Sequence, residues 1–312
     1  MLVSIIMPTY NQADFIGDAI FSALSQNYKN FELIIVDNFS TDETERVVLE
    51  FNDPRVRYFK FNNCGVIAAG RNFGVKQSIG EVLAFLDSDD IWEPTMLSAQ
   101  MAALQDDACL VSSCFKPIGN VTRCRNHLDH IPENTLRRFS FSDLIQSNSI
   151  MTSSVVILKK TFVDAGGFDE SSDFRFIEDW ELWLRIAKHK DFIINGQRLL
   201  NYRISAKKDR DLRDVKLRTL LIMQKNFESG FVDSKFFRTL KANCYVDIGK
   251  AFLDMNDRSG IRYYLGSLLY STGFKNRVRA ILGLGLFLIP FKLRVKLVDS
   301  LYLLQFNLSK TK

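Results

Sequence analysis

The sequence predicts an α/β fold, a parallel sheet wrapped by helices, followed by a helical extension. Strand-like apolar runs alternate four times with helical patterns over residues 3–95, joined by short connections. Three of those runs end in polar residues: Thr9 and Asn11, then Asp37, then Asp87, Ser88, Asp89 and Asp90. From about residue 209 strand signals give way to helical periodicity.

The first strand is expected over 3–7, ended by Pro8, with Asn11 capping a helix whose Phe15, Ile16, Ala19, Ile20, Ala23 and Leu24 recur at helical spacing. A second run, 31–36, ends in Asp37, and Ser40 or Thr41 is expected to cap a short helix through residue 51. A strand over 56–59, a loop through Gly65 and a helix carrying Arg71 and Asn72 follow. Residues 82–86 are five apolar residues in a row, too few for a helix and without a polar face, which suits a strand covered on both sides. Farther on, strands are expected over 110–115 and 154–158. A glycine-rich turn over 166–170 then leads to a helix opening at Glu178 and Asp179. Trp180, Trp183, Leu184 and Ala187 make its apolar face, and acids in its first turn are favoured by the helix dipole.

A chain of 312 residues can form one large or two modest domains, and 46% hydrophobic with 25% charged residues is a soluble globular composition. The net charge of +5 hides an asymmetry: residues 1–200 hold 19 Lys and Arg against 27 Asp and Glu, net −8, and residues 201–312 hold 22 against 9, net +13. The two parts therefore meet different partners. Cys64, Cys109, Cys114, Cys124 and Cys244 form no CxxC pair and are odd in number, as expected for reduced thiols. Residues 1–8 lack a basic leader segment and read as a first strand, so a cytoplasmic chain is expected.

In a parallel sheet the carboxyl ends of the strands lie on one rim, where such folds bind ligands. Asp87 and Asp89, two apart, are hard oxygen ligands suited to Mg²⁺ or Mn²⁺, which takes one or two carboxylates and completes its shell with phosphate and water. On the same rim Asp37 could accept from a base N–H and Arg71 could meet phosphate, which reads as a nucleotide site. Neither GxGxxG nor GxxxxGK[ST] follows the first strand, which argues against dinucleotide-binding and P-loop folds. His127 and His130, flanked by Asn, Asp and Pro, read as loop residues and not as metal ligands.

Five ordered motifs, 4–11 (SIIMPTYN), 33–42 (LIIVDNFSTD), 69–74 (AGRNFG), 85–90 (FLDSDD) and 166–170 (GGFDE) with Glu178-Asp179, resemble those of the family 2 glycosyltransferases of GT-A fold. The resemblance covers about residues 1–205. It implies a GT-A catalytic domain there, with a mixed sheet, a nucleotide-sugar half over about 1–95 and an acceptor half over 96–205, followed by a basic helical region over 206–312. It further implies inverting transfer of a sugar from a nucleotide diphosphate donor, a UDP-sugar being favoured. By this resemblance Thr9, Asn11, Asp37, Arg71, Asp87 and Ser88 fall at nucleotide-sugar positions, Asp87 and Asp89 at the metal, and Asp179 at the acceptor-activating base. Two positions depart from the family pattern: Asn38 stands where a second Asp is usual, and Ser205 where many members have His. The Gln-x-x-Arg-Trp motif and multiple spans of processive synthases are absent, which favours single-sugar addition. The alternative reading is a catalytically inactive relative that binds nucleotide-sugar or saccharide.

The basic region carries a twelve-residue apolar run, 280–291, flanked by Lys275, Arg277 and Arg279 and by Lys292, Arg294 and Lys296. A bilayer span needs about 20 apolar residues, so the run is too short to cross. Two readings stand. One is an in-plane segment over 275–306 on the anionic inner face of the plasma membrane, with a lipid-linked saccharide as acceptor. The other is packing inside a helical subdomain or against a second copy of the chain. Nucleic acid is not expected, because no base-stacking platform accompanies the basic residues.

Overall fold

The computed structural model describes residues 1–104, 108–119, 128, 130–204, 211–271 and 274–289. Two compact units divide the chain, Met1–Lys208 and Asp209–Lys312.

The first unit runs β1 (Val3–Thr9), α1 (Ile16–Leu24), β2 (Phe31–Asp37), α2 (Thr44–Leu49), β3 (Val56–Lys60), α3 (Ile67–Gln77), β4 (Val82–Phe85), β5 (Ile91–Trp92) and α4 (Met96–Ala103). It continues through β6 (Leu110–Gly119), β7 (Leu136–Phe139), α5 (Phe141–Leu144), β8 (Val156–Leu158), α6 (Lys159–Asp164), α7 (Glu178–Ala187) and β9 (Phe192–Ile204). Among the described residues these strands form one sheet in the order β3-β2-β1-β4-β8-β6-β9-β5, with β7 on β9. The first four are parallel, as the alternation predicts. The sheet as a whole is mixed, because β8 runs antiparallel to β4 and to β6.

Every residue of β1, β2 and β4 is buried, which is why their sequences read as mainly apolar runs, broken inside β1 and β2 only by Ser4 and Glu32 before the polar ends. On one face Val3, Ile5, Met7, Leu33, Ile35 and Ala84 join a core with Ile16, Ala19 and Ile20 of α1 and Met96 and Leu97 of α4. Each Val, Leu, Ile or Met among them contributes roughly 1.5–3 kcal/mol by leaving water. On the other face α3 lies so close that a Cβ on Gly74 would stand 2.6 Å from Ile6 Cγ2. A larger residue there would push away the helix that carries Arg71.

Two local expectations are corrected. Asn11 does not cap α1, which starts at Ile16 without a side-chain cap. Its φ of 51° makes the left-handed turn after β1, a conformation Asn tolerates, and its Oδ1 instead accepts from Thr41 N at 2.8 Å. Ser40 and Thr41 do not cap α2 either, because Ser40 Oγ is spent on Asp37 and Asp42 Oδ1 takes the Thr44 N–H at 3.0 Å. The strands β5, β7 and β9 were not legible. In β9 the turn-like Asn195-Gly196-Gln197 sits inside a continuous strand, where the pairing with β6 jumps from Ser113–Asn195 to Cys114–Arg198 as a bulge.

The second unit is helical: α8 (Leu212–Glu228), α9 (Ser234–Asp254), α10 (Ile261–Tyr270) and α11 (Phe274–Leu286). Asp211 and Asp233 cap α8 and α9 by accepting from Arg213 N and Phe236 N. Its core gathers Val246, Leu253, Tyr264, Ala280 and Phe287. A Cβ on Gly249 or Gly283 would strike the Tyr264 ring, so these glycines let three helices close on one tyrosine. The apolar run is split: Ala280 and Phe287 turn inward, while Ile281, Leu282 and Leu288 stay exposed. Residues 290–291 of the run and the basic flank at 292, 294 and 296 lie outside the described residues. No helix among the described residues is long and apolar enough to cross a membrane.

Candidate active site

Strand register assembles the rim. β1 pairs Thr9 with Asp37 of β2, and Ile6 with Phe85 of β4, so the chain leaving β4 reaches Asp87 near the level of Pro8, beside Thr9. The residues expected to act together, Thr9, Asn11, Asp37 and Asp87 to Asp90, thus share one end of the sheet.

Arg71 is the hub beneath this rim. It is 3% exposed, and its Nη2 donates to Asp87 Oδ1 at 2.7 Å while Nη1 donates to Glu178 Oε1 at 2.9 Å. The sequence set Arg71 on phosphate; here both terminal nitrogens are committed to carboxylates. The glycine-rich turn explains its placement. Gly166 and Gly167 adopt φ of 85° and 71°, and Asn72 of α3 grips the next residue, accepting from Phe168 N at 3.0 Å and donating to Phe168 O at 2.8 Å. Phe168 then lies under the Arg71 guanidinium, 5.5 Å from ring centre to Cζ.

Asp179 stands one residue beyond Glu178 in the first turn of α7. Its Oδ2 accepts from Thr152 Oγ1 at 2.9 Å, and its Oδ1 accepts from Asn148 Nδ2 at 3.3 Å and from Trp180 N at 2.6 Å. Thr152 belongs to a single 3₁₀ turn, Thr152–Ser154, whose next residue reaches the other acid station: Asp87 N donates to Ser153 Oγ at 3.0 Å. One turn therefore ties the strand tip to the carboxylate of α7.

The acidic tip is braced by β9, where Arg203 N donates to Asp90 Oδ1 at 2.8 Å and Arg203 Nε to Asp89 O at 2.7 Å. Arg203 also stacks on Phe15. Asp37 has no exposed surface. Ser40 Oγ and Tyr58 OH donate to it at 2.6 and 2.5 Å, so it holds the loop after β2. Asn38, the departure from the family pattern, takes the Asn63 N–H at 2.9 Å and closes that loop toward α3. Ser88 is buried within the tip. Ser205, His127 and Cys124 lie outside the described residues.

Protonation follows burial. Desolvation pushes the Asp179 carboxyl above the ordinary range against the pull of Arg71, Thr152, Trp180 N and Asn148. Glu178 is likewise raised, by desolvation against Arg71 and with Asp179 adding to it. Asp90 is raised well above it by desolvation and then by Asp87 and Asp89. Tyr58 is pushed upward by burial and by Asp37. Four buried polar atoms without a partner among the described residues, Thr9 Oγ1, Arg71 Nε, Asp90 Oδ2 and Glu178 Oε2, belong to rim residues or their supports. Buried polar groups are nearly always paired, so their concentration here marks a site built for a polar ligand.

The tip suits a divalent cation. Its donors are hard oxygens, and the charges of Asp87 and Asp89, which add to burial in raising the Asp90 carboxyl, are ones a cation would relieve. No group of three or more His, Cys, Asp or Glu gathers as a metal cage among the described residues, and Mg²⁺ and Mn²⁺ sites of the one- or two-carboxylate kind do not require one. Glu178, Thr152, Ser153, Asn148 and Arg203 were not singled out in advance as site supports. Of these Glu178, next to Asp179 in a matched motif, and Arg203, in the Tyr-Arg pair that precedes Ser205, carried a sequence signal.

A mixed sheet covered by helices, with an acidic strand tip at its carboxyl rim, is the architecture of the GT-A class of nucleotide-sugar transferases. Solved structures agree on the fold. Staphylococcus aureus TarS 1–349 in complex with UDP-GlcNAc has a TM-score of 0.60 at 16% identity, covering 92% of this chain and 90% of that one. The mannosyltransferase PcManGT from Pyrobaculum calidifontis in complex with GDP-Man and Mn²⁺ has a TM-score of 0.61 at 17% identity, covering 96% and 86%. In sequence, residues 4–160 match the glycosyl transferase family 2 profile. The chain is also 31% identical over 226 residues to the Escherichia coli UDP-Glc:alpha-D-GlcNAc-diphosphoundecaprenol beta-1,3-glucosyltransferase WfgD, covering 68% of this chain and 83% of that relative. The chain belongs to the family 2 glycosyltransferases.

Proposed function

We propose that this glycosyltransferase moves a single sugar, with inversion, from a UDP-sugar to a saccharide or lipid-linked saccharide acceptor in surface polysaccharide or glycan biosynthesis. The observation that carries this reading is the pair of carboxylate stations, Asp87 and Asp179, linked through Arg71 and through the 152–154 turn. A donor held at the first station presents its anomeric carbon to an acceptor hydroxyl held at the second. The UDP preference draws support from the named donor of WfgD and the ligand of TarS.

Asp87 and Asp89 are the residues that would hold Mg²⁺ or Mn²⁺, and such a cation when bound supplies a Lewis acid for charge building on the departing diphosphate. Thr9, Asn11 and Ser88 line the nucleotide side, with Asp37 fixing the loop beside them. Arg71 keeps Asp87 and Glu178 in place and acts on the donor through them. Asp179 removes the proton of the attacking hydroxyl. The O–H bond breaks toward the carboxylate, the oxygen bonds to the anomeric carbon, and the electron pair of the old C–O bond leaves with the diphosphate. One carboxylate suffices, because the leaving group needs no proton.

Thermal-shift screening of a nucleotide-sugar panel with and without Mn²⁺ tests donor and metal together. A UDP-sugar should stabilise the protein more with Mn²⁺ than without, and Asp89→Asn should abolish that difference. An equal response in the variant would remove Asp89 from the metal. Donor hydrolysis or transfer by the wild type would dismiss the inactive-relative reading.

The basic second unit is proposed to rest on an anionic membrane surface, with Ile281, Leu282 and Leu288 exposed beside Arg277 and Arg279. Flotation of the full chain with anionic liposomes should be lost on changing Ile281, Leu282 and Leu288 to Ser. Flotation unaffected by the change, or a dimer dissociated by it, would assign the face elsewhere.

A further inference from the structure

The base can be assigned to one oxygen, with a residue that tunes it. A carboxylate offers about four lone-pair directions, two on each oxygen. Asp179 Oδ1 has both filled, by Trp180 N at 2.6 Å and Asn148 Nδ2 at 3.3 Å. Oδ2 has one filled, by Thr152 Oγ1 at 2.9 Å. The remaining direction on Oδ2 is the open one. We infer that Oδ2 is the atom that receives the acceptor proton, and that Thr152 is a positioning residue that aims this oxygen and keeps it ionised until the hydroxyl arrives.

The inference rests on the reading of Asp179 as base and adds the atom and its partner. Thr152 is buried, and it sits next to Ser153, whose hydroxyl takes the Asp87 N–H, so its backbone is fixed from the donor side. The charged and titratable neighbours of Asp179 are Arg71 from α3 and Glu178 from its own helix, with Asp87 beyond Arg71. Burial opposes the ionised carboxylate, and Arg71, the Thr152 hydroxyl, Trp180 N and Asn148 favour it, so Thr152 is one of the few groups that offset burial at this atom. A hydrogen bond to a charged group carries enough free energy to move a carboxyl by about one pH unit.

The test is the pH profile of kcat for Thr152→Val and Thr152→Ser in the full chain, with donor binding followed by calorimetry. Valine keeps the shape and removes the O–H, and serine keeps the O–H. Thr152→Val should move the acid limb of kcat upward by about one pH unit, recover much of its rate above that limb and bind donor like the wild type. Thr152→Ser should leave the limb in place. A Thr152→Val enzyme slowed by the same factor at every pH, or one with an unmoved limb, would overturn the inference while leaving the base assignment intact. Full transfer by Asp179→Asn would instead remove the base, and the inference with it.

Discussion

Two buried carboxylate clusters sit at opposite ends of the same parallel strands, and they are built to opposite specifications. At the amino ends, Glu32 accepts from Ser4 Oγ at 2.6 Å, Arg57 Nη1 at 2.6 Å and Ile79 N at 2.7 Å. Burial opposes its ionisation, yet those donors prevail and hold its pKa below the usual value. At the carboxyl ends burial prevails: Asp90, Glu178 and Asp179 are all raised, and polar atoms are left without partners. A satisfied cluster stabilises a fold, whereas an unsatisfied one is held ready for a ligand.

The sharpest way to break this contrast is Asp179→Asn. It should lower transfer by about two to four orders of magnitude with donor affinity retained, as single-turnover kinetics and calorimetry would read. Near-normal transfer would place the base elsewhere. Next comes Arg71→Met, which strands Asp87 and Glu178 without their cation. Urea denaturation should show a loss of roughly 3–5 kcal/mol, since removing one partner leaves buried charge uncompensated. Glu32→Gln should cost about 1–3 kcal/mol through its mismatched donors and leave kcat unchanged.

The two ends also differ in the sign of their pH dependence, which denaturation curves over a pH series in chelator would separate. Glu32, with a lowered folded pKa, contributes stability above its unfolded pKa that is lost as pH falls through the folded value. Glu178, with a raised folded pKa, contributes stability below its unfolded pKa that is lost as pH rises through the folded value. Glu32→Gln should therefore flatten the acid side. Glu178→Gln should gain on the wild type as pH rises across the window between the unfolded and folded values. The smallest effect belongs to exposed Arg46, paired with Glu43 and Glu50 on α2, where Arg46→Ala should not change stability measurably.

The same contrast explains what the sequence disclosed. β1, β2 and β4 were legible because strands buried on both faces are mostly apolar, Asp87 and Asp89 because they follow such a strand at once, and Asp179 only through the family motif, since an acid in a first helical turn is ordinary. β9 was not, since Asn195-Gly196 imitates a turn and only the pairing with β6 carries the strand through it. Thr152 and Ser153 resemble ordinary residues leading into a strand; their importance comes from Asp179 and Asp87, which lie 27 and 66 positions away. Arg71 was picked out, but its partner Glu178 stands 107 residues downstream and no local pattern announces the pair. Side-chain chemistry was readable from spacing, and its long-range partners were not.

The role proposed for Asp179, a base for the acceptor hydroxyl opposite a departing diphosphate, calls for a single displacement at the anomeric carbon. The most direct measurement is the anomeric configuration of the first-formed product, read by proton NMR coupling before any equilibration. A product of configuration opposite to that of the donor sugar is the expected result. A retained configuration would contradict the single displacement and the role given to Asp179.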